Sequence, residues 1–120
     1  MNLNWEIANA VFPSVTRKLT DLEQLYPKRK LPVNAMVTRF APSPTGFLHM
    51  GSLFASLCSW RYAKQSKGVF FCRLEDTDTK REITGSGNQV LQELAIYGII
   101  PDEDFALGGA YGPYVQSERK

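Results

Sequence analysis

Apolar and polar positions follow two successive rhythms along this chain. Between Asn4 and Ala10, and again between Thr16 and Leu25, apolar residues recur at helical spacing. In the second stretch Leu19, Leu22, Leu25 and Tyr26 form an i, i+3, i+6, i+7 stripe. The spacing predicts two short helices, the first ending before Pro13 and the second closed by Pro27, with Pro32 beyond it. From Val33 the rhythm changes to strand, helix, strand, helix. Ala35–Phe40 reads as a strand. Pro42-Ser43-Pro44-Thr45-Gly46 reads as a loop, because two prolines and a glycine break both regular structures. Gly51–Gln65 reads as a helix with Leu53, Phe54, Leu57, Trp60 and Cys58 inward, stopped by Gly68. Val69–Leu74 (VFFCRL) is a nearly continuous apolar run, the pattern of a buried parallel strand. Asn88–Tyr97 reads as another helix, with Val90, Leu91, Leu94 and Ala95 on one face and Gly98 suited to its C-terminal cap. The remainder, rich in Gly, Pro and Asp, carries no clear period.

This succession predicts an α/β fold with parallel strands and crossover helices over residues 33–120. Residues 1–32 are expected to form a helical N-terminal extension that packs on it, with a linker at Pro27–Pro32. Such sheets bind ligands beyond the carboxyl ends of their strands. Attention therefore falls on the loops after Phe40 and Leu74.

Composition narrows the classes of function. The chain has 120 residues, 43% hydrophobic and 22% charged, which fits one small folded domain and excludes a wholly disordered chain. A net charge of +2 gives no sign of a nucleic-acid partner. The basic run Lys28-Arg29-Lys30, between two prolines, reads as a solvated turn. Cys58 and Cys72 form no CxxC pair and have no neighbouring histidine, so no zinc site is expected. No segment approaches the ~18 apolar residues of a membrane span, and the start lacks the basic and apolar regions of a signal peptide. Free thiols in a reducing cytoplasm are the expectation. His49 is the sole histidine, which excludes any site needing two imidazoles.

The first loop reads RFAPSPTGFLHMGS, Arg39 to Ser52. Alternate residues of an extended strand share a side, so Arg39, Ala41 and Ser43 would line one flank of its exit. A guanidinium there suits a carboxylate ligand. His49-Met50-Gly51-Ser52 falls at a helix start, where free N–H groups and the dipole favour phosphate. Gly51 permits close approach to the backbone. By spacing alone His49 reads first as a capping or surface residue. The loop is neither a Walker loop nor a GxGxxG fingerprint. The second loop, RLEDTDTKRE (Arg73 to Glu82), sets Glu75, Asp76 and Asp78 at a strand end. Acids so placed could hold magnesium, bind an ammonium group, or cap the next element.

RFAPSPTG with LHMGS, then RLEDTD with Arg81, then GPYVQSER (Gly112 to Arg119), together resemble three signature blocks of the class I glutamyl-tRNA synthetases, in order and without an obvious gap over about residues 33 to 119. The resemblance implies the first half of a Rossmann-like nucleotide-binding fold. It implies a ligase that activates glutamate with ATP and Mg²⁺ and passes it to the tRNA for glutamate. On it, Arg39 would bind the glutamate side-chain carboxylate, Ser43 and Glu75 its α-ammonium group, and Ala41 would lie alongside. His49, as the catalytic residue, would stabilise charge on the phosphates of ATP, with Thr45 and Gly51 also at the nucleotide. No metal ligand is expected in this stretch.

Ser52 stands where the strict signature has a second histidine. HMGS is also similar to the paralogue that attaches glutamate to a modified tRNA base, although Thr77 and GPYVQSER are closer to the synthetase. A KMSKS-like loop, the second half of the nucleotide fold, and an aromatic residue and second arginine for the glutamate pocket are not seen. The expectation is a truncated N-terminal part, unable to aminoacylate alone. A non-catalytic partner-binding piece, self-associating through an open sheet edge, is the alternative.

Overall fold

A computed structural model of the chain describes residues 3–77 and 85–119. Its elements are α1 (Leu3–Val11), α2 (Leu19–Leu25), β1 (Val37–Phe40), α3 (Met50–Gln65), β2 (Val69–Cys72) and α4 (Ser86–Ile96), with a 3₁₀ turn at Gln116–Glu118. β1 and β2 pair in parallel, Val37 opposite Val69 through Phe40 opposite Cys72. The fold is α/β, as the alternation predicts.

Boundaries shift where local hydrogen bonds decide them. α2 starts at Leu19 rather than Thr16, because the Asp21 carboxylate accepts the Lys18 N–H at 2.8 Å and sets the first turn there. β1 starts at Val37 rather than Ala35, since Asn34 is left-handed (φ 65°) and Ala35 N–H closes a turn on the Pro32 carbonyl. α4 ends in a Schellman motif: Gly98 at φ 72° bonds back to Ala95, and the buried Ile99 to Leu94.

α3 ends the same way, but its left-handed residue is Lys67 (φ 56°) and not Gly68. Gly68 is needed for a different reason. A Cβ there would stand 1.9 Å from the Met36 carbonyl oxygen, where β2 enters alongside the chain leading into β1.

The core lies on one face of the sheet. Phe40, Phe70 and Cys72 meet Ala63 of α3, Val90 and Leu94 of α4, and Ile99. α3 turns small residues, Ser56 and Ala63, to the sheet, with Leu53 and Trp60 beside them. Phe54 and Leu57, expected inward, are 66% and 39% exposed; Phe54 lies on the far side of that arc and Leu57 at its margin. Ala95 of α4, also expected inward, is exposed. Small side chains let the helix approach closely, which apolar spacing alone does not reveal.

β2 is buried on alternate residues only, Phe70 and Cys72, and not throughout. Its far edge is nonetheless occupied. Asp102 N–H donates to Phe70, Cys72 N–H to Glu103, Leu74 N–H to Tyr114 and Gln116 N–H to Leu74. These contacts run parallel to β2 and order the stretch that showed no period. The outer edge of β1 carries no strand among the described residues.

Residues 26–29 contact the second face of the sheet, whereas α2 buries no side chain. Arg29, read from sequence as part of a solvated turn, makes a two-pronged ion pair with Glu103 (2.5 and 2.6 Å), and the two side chains are 16% and 14% exposed. Its guanidinium lies 3.7 Å from the Tyr111 ring centroid. The Arg29 hydrogen bonds hold Glu103 below the usual carboxylate range.

Both cysteines are free. Burial, helped by Asp104, pushes the Cys72 thiol up to about 12, leaving roughly one part in 10⁵ as reactive thiolate at neutral pH. Maleimide should therefore label the half-buried Cys58 alone in the folded chain and both thiols in denaturant. Rapid labelling of two thiols under native conditions would contradict this packing.

Candidate functional site at the carboxyl ends of the strands

The loops leaving β1 and β2 stay tied together past the last paired residues. Arg73 N–H donates to the Phe40 carbonyl (3.0 Å) and Glu75 N–H to the Pro42 carbonyl (2.8 Å). Pro42 itself has no N–H to continue the ladder, so the first loop diverges here into the turn closed by Thr45 N–H on the Ser43 carbonyl.

Two predicted residues meet directly. Arg39 Nη1 lies 2.9 Å from Glu75 Oε1, with side chains 38% and 28% exposed. Arg73 Nε stands 3.8 Å from the same oxygen. Burial foremost, with Arg39 and Arg119 nearby, lowers the Arg73 pKa, while Glu75 pulls the other way. The sheet face opposite the core thus carries a carboxylate among arginines.

Four more predicted residues, Ala41, Ser43, Thr45 and His49, line a cleft of about 240 Å³ with Pro42 and Ser52 among its walls. Arg39 and Glu75 do not line it; they adjoin it through Pro42. His49 is the N-cap of α3. Its Nδ1 accepts the Ser52 N–H at 3.3 Å, and its backbone carbonyl accepts the Ser52 hydroxyl. The capping reading of His49 is therefore correct. It is also compatible with a nucleotide role, because a neutral ring accepting at Nδ1 carries its proton on Nε2. Gly51 is also off the cleft wall. A Cβ on it would come within 3.2 Å of the His49 ring, so the small residue leaves the imidazole its place.

Two residues of this neighbourhood escaped the sequence reading. Glu93 of α4 accepts the Leu48 N–H at 2.7 Å and the Gln89 side-chain amide at 3.1 Å, anchoring the loop just before His49. Nothing in its local spacing marks it, since an acid on a helix reads as solvated. Ser117 gives its N–H and hydroxyl to the Asp76 carboxylate (2.9 and 2.5 Å). Burial pushes Asp76 up, but these bonds outweigh it and the pKa is lowered. Asp76 is thus a capping residue for the 3₁₀ turn. Asp78 and Arg81, also singled out in sequence, lie outside the described residues. Among the described residues no three His, Cys, Asp or Glu side chains gather as a metal site, and no helix is long and apolar enough to cross a membrane.

Comparison with known proteins bears on this arrangement. The family model described as class I tRNA synthetases (E and Q), catalytic domain, matches residues 35–120. A glutamate–tRNA ligase of Sorangium cellulosum is 44% identical over 119 residues, covering 86% of this chain and 21% of the relative. One from Chlorobium phaeobacteroides is 54% identical over 82 residues, covering 68% and 16%. The crystal structure of a glutamate–tRNA synthetase from Elizabethkingia anophelis superposes with a TM-score of 0.68 at 46% identity, over 70% of this chain and 17% of that one. A glutamate tRNA ligase from Elizabethkingia meningosepticum, solved in complex with its amino acid, matches equally well. The chain spans about a fifth of the length of the curated relatives it matches.

Proposed function

Because this chain belongs to the class I tRNA synthetase (E and Q) catalytic-domain family, we propose that it supplies the amino-acid and nucleotide contacts of a glutamate–tRNA ligase, a soluble cytoplasmic enzyme of translation. The observation that carries this reading is the Arg39–Glu75 pair beside the cleft that His49 lines. Glutamate brings a side-chain carboxylate and an α-ammonium group. Each can replace one member of the pair: Arg39 turns to the carboxylate, and Glu75, with Ser43, to the ammonium. The exchange leaves every charge matched, which limits the cost of desolvation. Ala41, small and half-buried, leaves room for the aliphatic stem.

In the reaction, an oxygen of the glutamate α-carboxylate attacks the α-phosphorus of ATP. A new P–O bond forms as the bond to the β-phosphate bridging oxygen breaks, and pyrophosphate leaves with that electron pair. Thr45 lies on the cleft wall where the nucleotide would sit, Gly51 keeps the start of α3 open, and His49 Nε2–H donates toward the phosphates as charge develops. The acyl group then passes to a terminal hydroxyl of the tRNA for glutamate, releasing AMP. No covalent bond to the protein is needed; the residues act by position and charge. Magnesium would arrive on the nucleotide phosphates, the way this ion commonly enters nucleotide sites.

Calorimetric titration with a non-hydrolysable glutamyl-adenylate analogue tests the reading. Arg39→Ala should weaken binding by at least about tenfold, the scale of losing one hydrogen bond between charged groups. The glutaminyl analogue should bind the unmodified chain less well than the glutamyl one. Undiminished affinity in Arg39→Ala, or equal affinity for both analogues, would remove the assignment of the side-chain carboxylate to Arg39.

A further inference from the structure

The stretch Tyr26–Lys30 is joined to the second face of the sheet by more bonds than a linker needs. Arg29 grips Glu103 with both prongs of its guanidinium and stacks on Tyr111. The Tyr111 hydroxyl donates back to the Pro27 carbonyl at 2.8 Å, so the contact closes on itself. Glu103 also accepts the Tyr114 hydroxyl, and that oxygen accepts the Tyr111 N–H. Arg119 stands over the Tyr26 ring and donates to the Tyr111 and Pro113 carbonyls. Three residues of the extension side, Tyr26, Pro27 and Arg29, thus hold the 111–119 segment.

That segment in turn holds the end of β2. Leu74 N–H donates to the Tyr114 carbonyl, Gln116 N–H to the Leu74 carbonyl, and Ser117 to Asp76. Glu75 lies between Leu74 and Asp76, both of which are bonded into the seam. Arg29 is therefore linked to Glu75 by hydrogen bonds through Glu103 and Tyr114 as far as Leu74 and then by the peptide chain, with no contact of its own at the Arg39–Glu75 pair.

We infer that the 26–30 segment is a strap and that Arg29 is a positioning residue for the amino-acid site, acting through Glu103, Tyr114 and the Leu74–Asp76 seam on the carboxylate of Glu75. The strap rests on the geometry above; its effect on ligand affinity rests on the reading under Proposed function. The guanidinium is required as a fork and as a plane. Lysine keeps the charge but supplies neither the two parallel bonds nor the stack.

The test compares Arg29→Ala, Arg29→Lys and the milder Tyr111→Phe with the unmodified chain, by amide hydrogen exchange resolved by residue and by titration with the glutamyl-adenylate analogue. Exchange at Leu74, Gln116 and Ser117 should accelerate in Arg29→Ala, while Val69 and Phe70 in β2 keep their protection. Tyr111→Phe, which loses only the bond to Pro27, should change the same amides to a smaller degree. Analogue affinity should fall about fivefold in Arg29→Ala, the scale of coupling carried through a packed network, and Arg29→Lys should not restore it. Unchanged exchange at the three seam amides in Arg29→Ala overturns the strap. Accelerated exchange with unchanged affinity overturns the positioning role. If Arg29→Ala loses protection throughout, Tyr111→Phe decides by the same three amides. If the unmodified chain binds no analogue, the reading of the site as a glutamate pocket falls and the positioning role falls with it, while the exchange data still decide the strap.

Discussion

Gly68→Ala is expected to cost this chain a large part of its stability. The new methyl carbon would be placed 1.9 Å from the Met36 carbonyl oxygen and 2.7 Å from the Met36 carbonyl carbon and nitrogen. These are backbone atoms, and Met36 has little freedom to move. Its carbonyl accepts the Val69 N–H at 3.0 Å, and its N–H donates to the Ser66 hydroxyl at 2.9 Å. Relief requires separating the start of β2 from the chain entering β1. The loss should be about 3 kcal/mol or more, the upper range of overpacking, against the 5–15 kcal/mol that holds a typical domain together. Urea denaturation followed by circular dichroism measures it. A shift below about 0.5 kcal/mol, the size of an ordinary surface substitution, would show that the close approach at Met36 is not maintained in solution.

Phe70→Ala is expected to cost a comparable amount. Phe70 is fully buried at the centre of the sheet face that α3 and α4 cover, among Phe40, Ala63, Val90 and Leu94. Truncation removes the largest fully buried side chain among the described residues and leaves a hole that small neighbours such as Ala63 and Cys72 cannot fill, so the cost should be about 3–5 kcal/mol. Phe70→Leu should cost less, because it retains most of the volume. Equal losses for the two variants would mean that the aromatic shape, rather than the buried volume, holds this position.

The sheet and its helices were legible because apolar periodicity and the punctuation of Gly and Pro act locally. β1, α3, β2 and α4 all appear within a few residues of their expected limits. What misled was the demand of a partner distant in sequence. Phe54 is a large apolar residue at a plausible helical position, yet the sheet accepts the small Ser56 and Ala63 instead. Gly68 reads as a helix stop because glycine commonly stops helices, while its actual constraint is set by Met36. Arg29 reads as one of three solvated cations until Glu103 and Tyr111, far along the chain, are brought beside it. At the site, Arg39 and Glu75 stood out in the sequence because both lie at the ends of strands expected to run parallel, although their ion pair was not foreseen. Glu93 did not stand out, because an acidic side chain on a helix carries no local sign that it will reach the loop before His49.

The parallel register has a kinetic consequence. Val37 and Val69 are neighbours in space yet roughly thirty residues apart in sequence, and no turn sets their alignment. A hairpin can zip from its loop, whereas this pair must wait for the intervening chain to shorten, which α3 does by coiling. α3 is therefore expected to form ahead of the strand pair, and substitutions along its sheet-facing arc of Leu53, Ser56, Trp60 and Ala63 should slow refolding more than they hasten unfolding. Inserting one residue after Gln65 would turn Phe70 and Cys72 toward the wrong face. The length of α3 thus acts as the ruler that brings Arg39 and Glu75 level with each other.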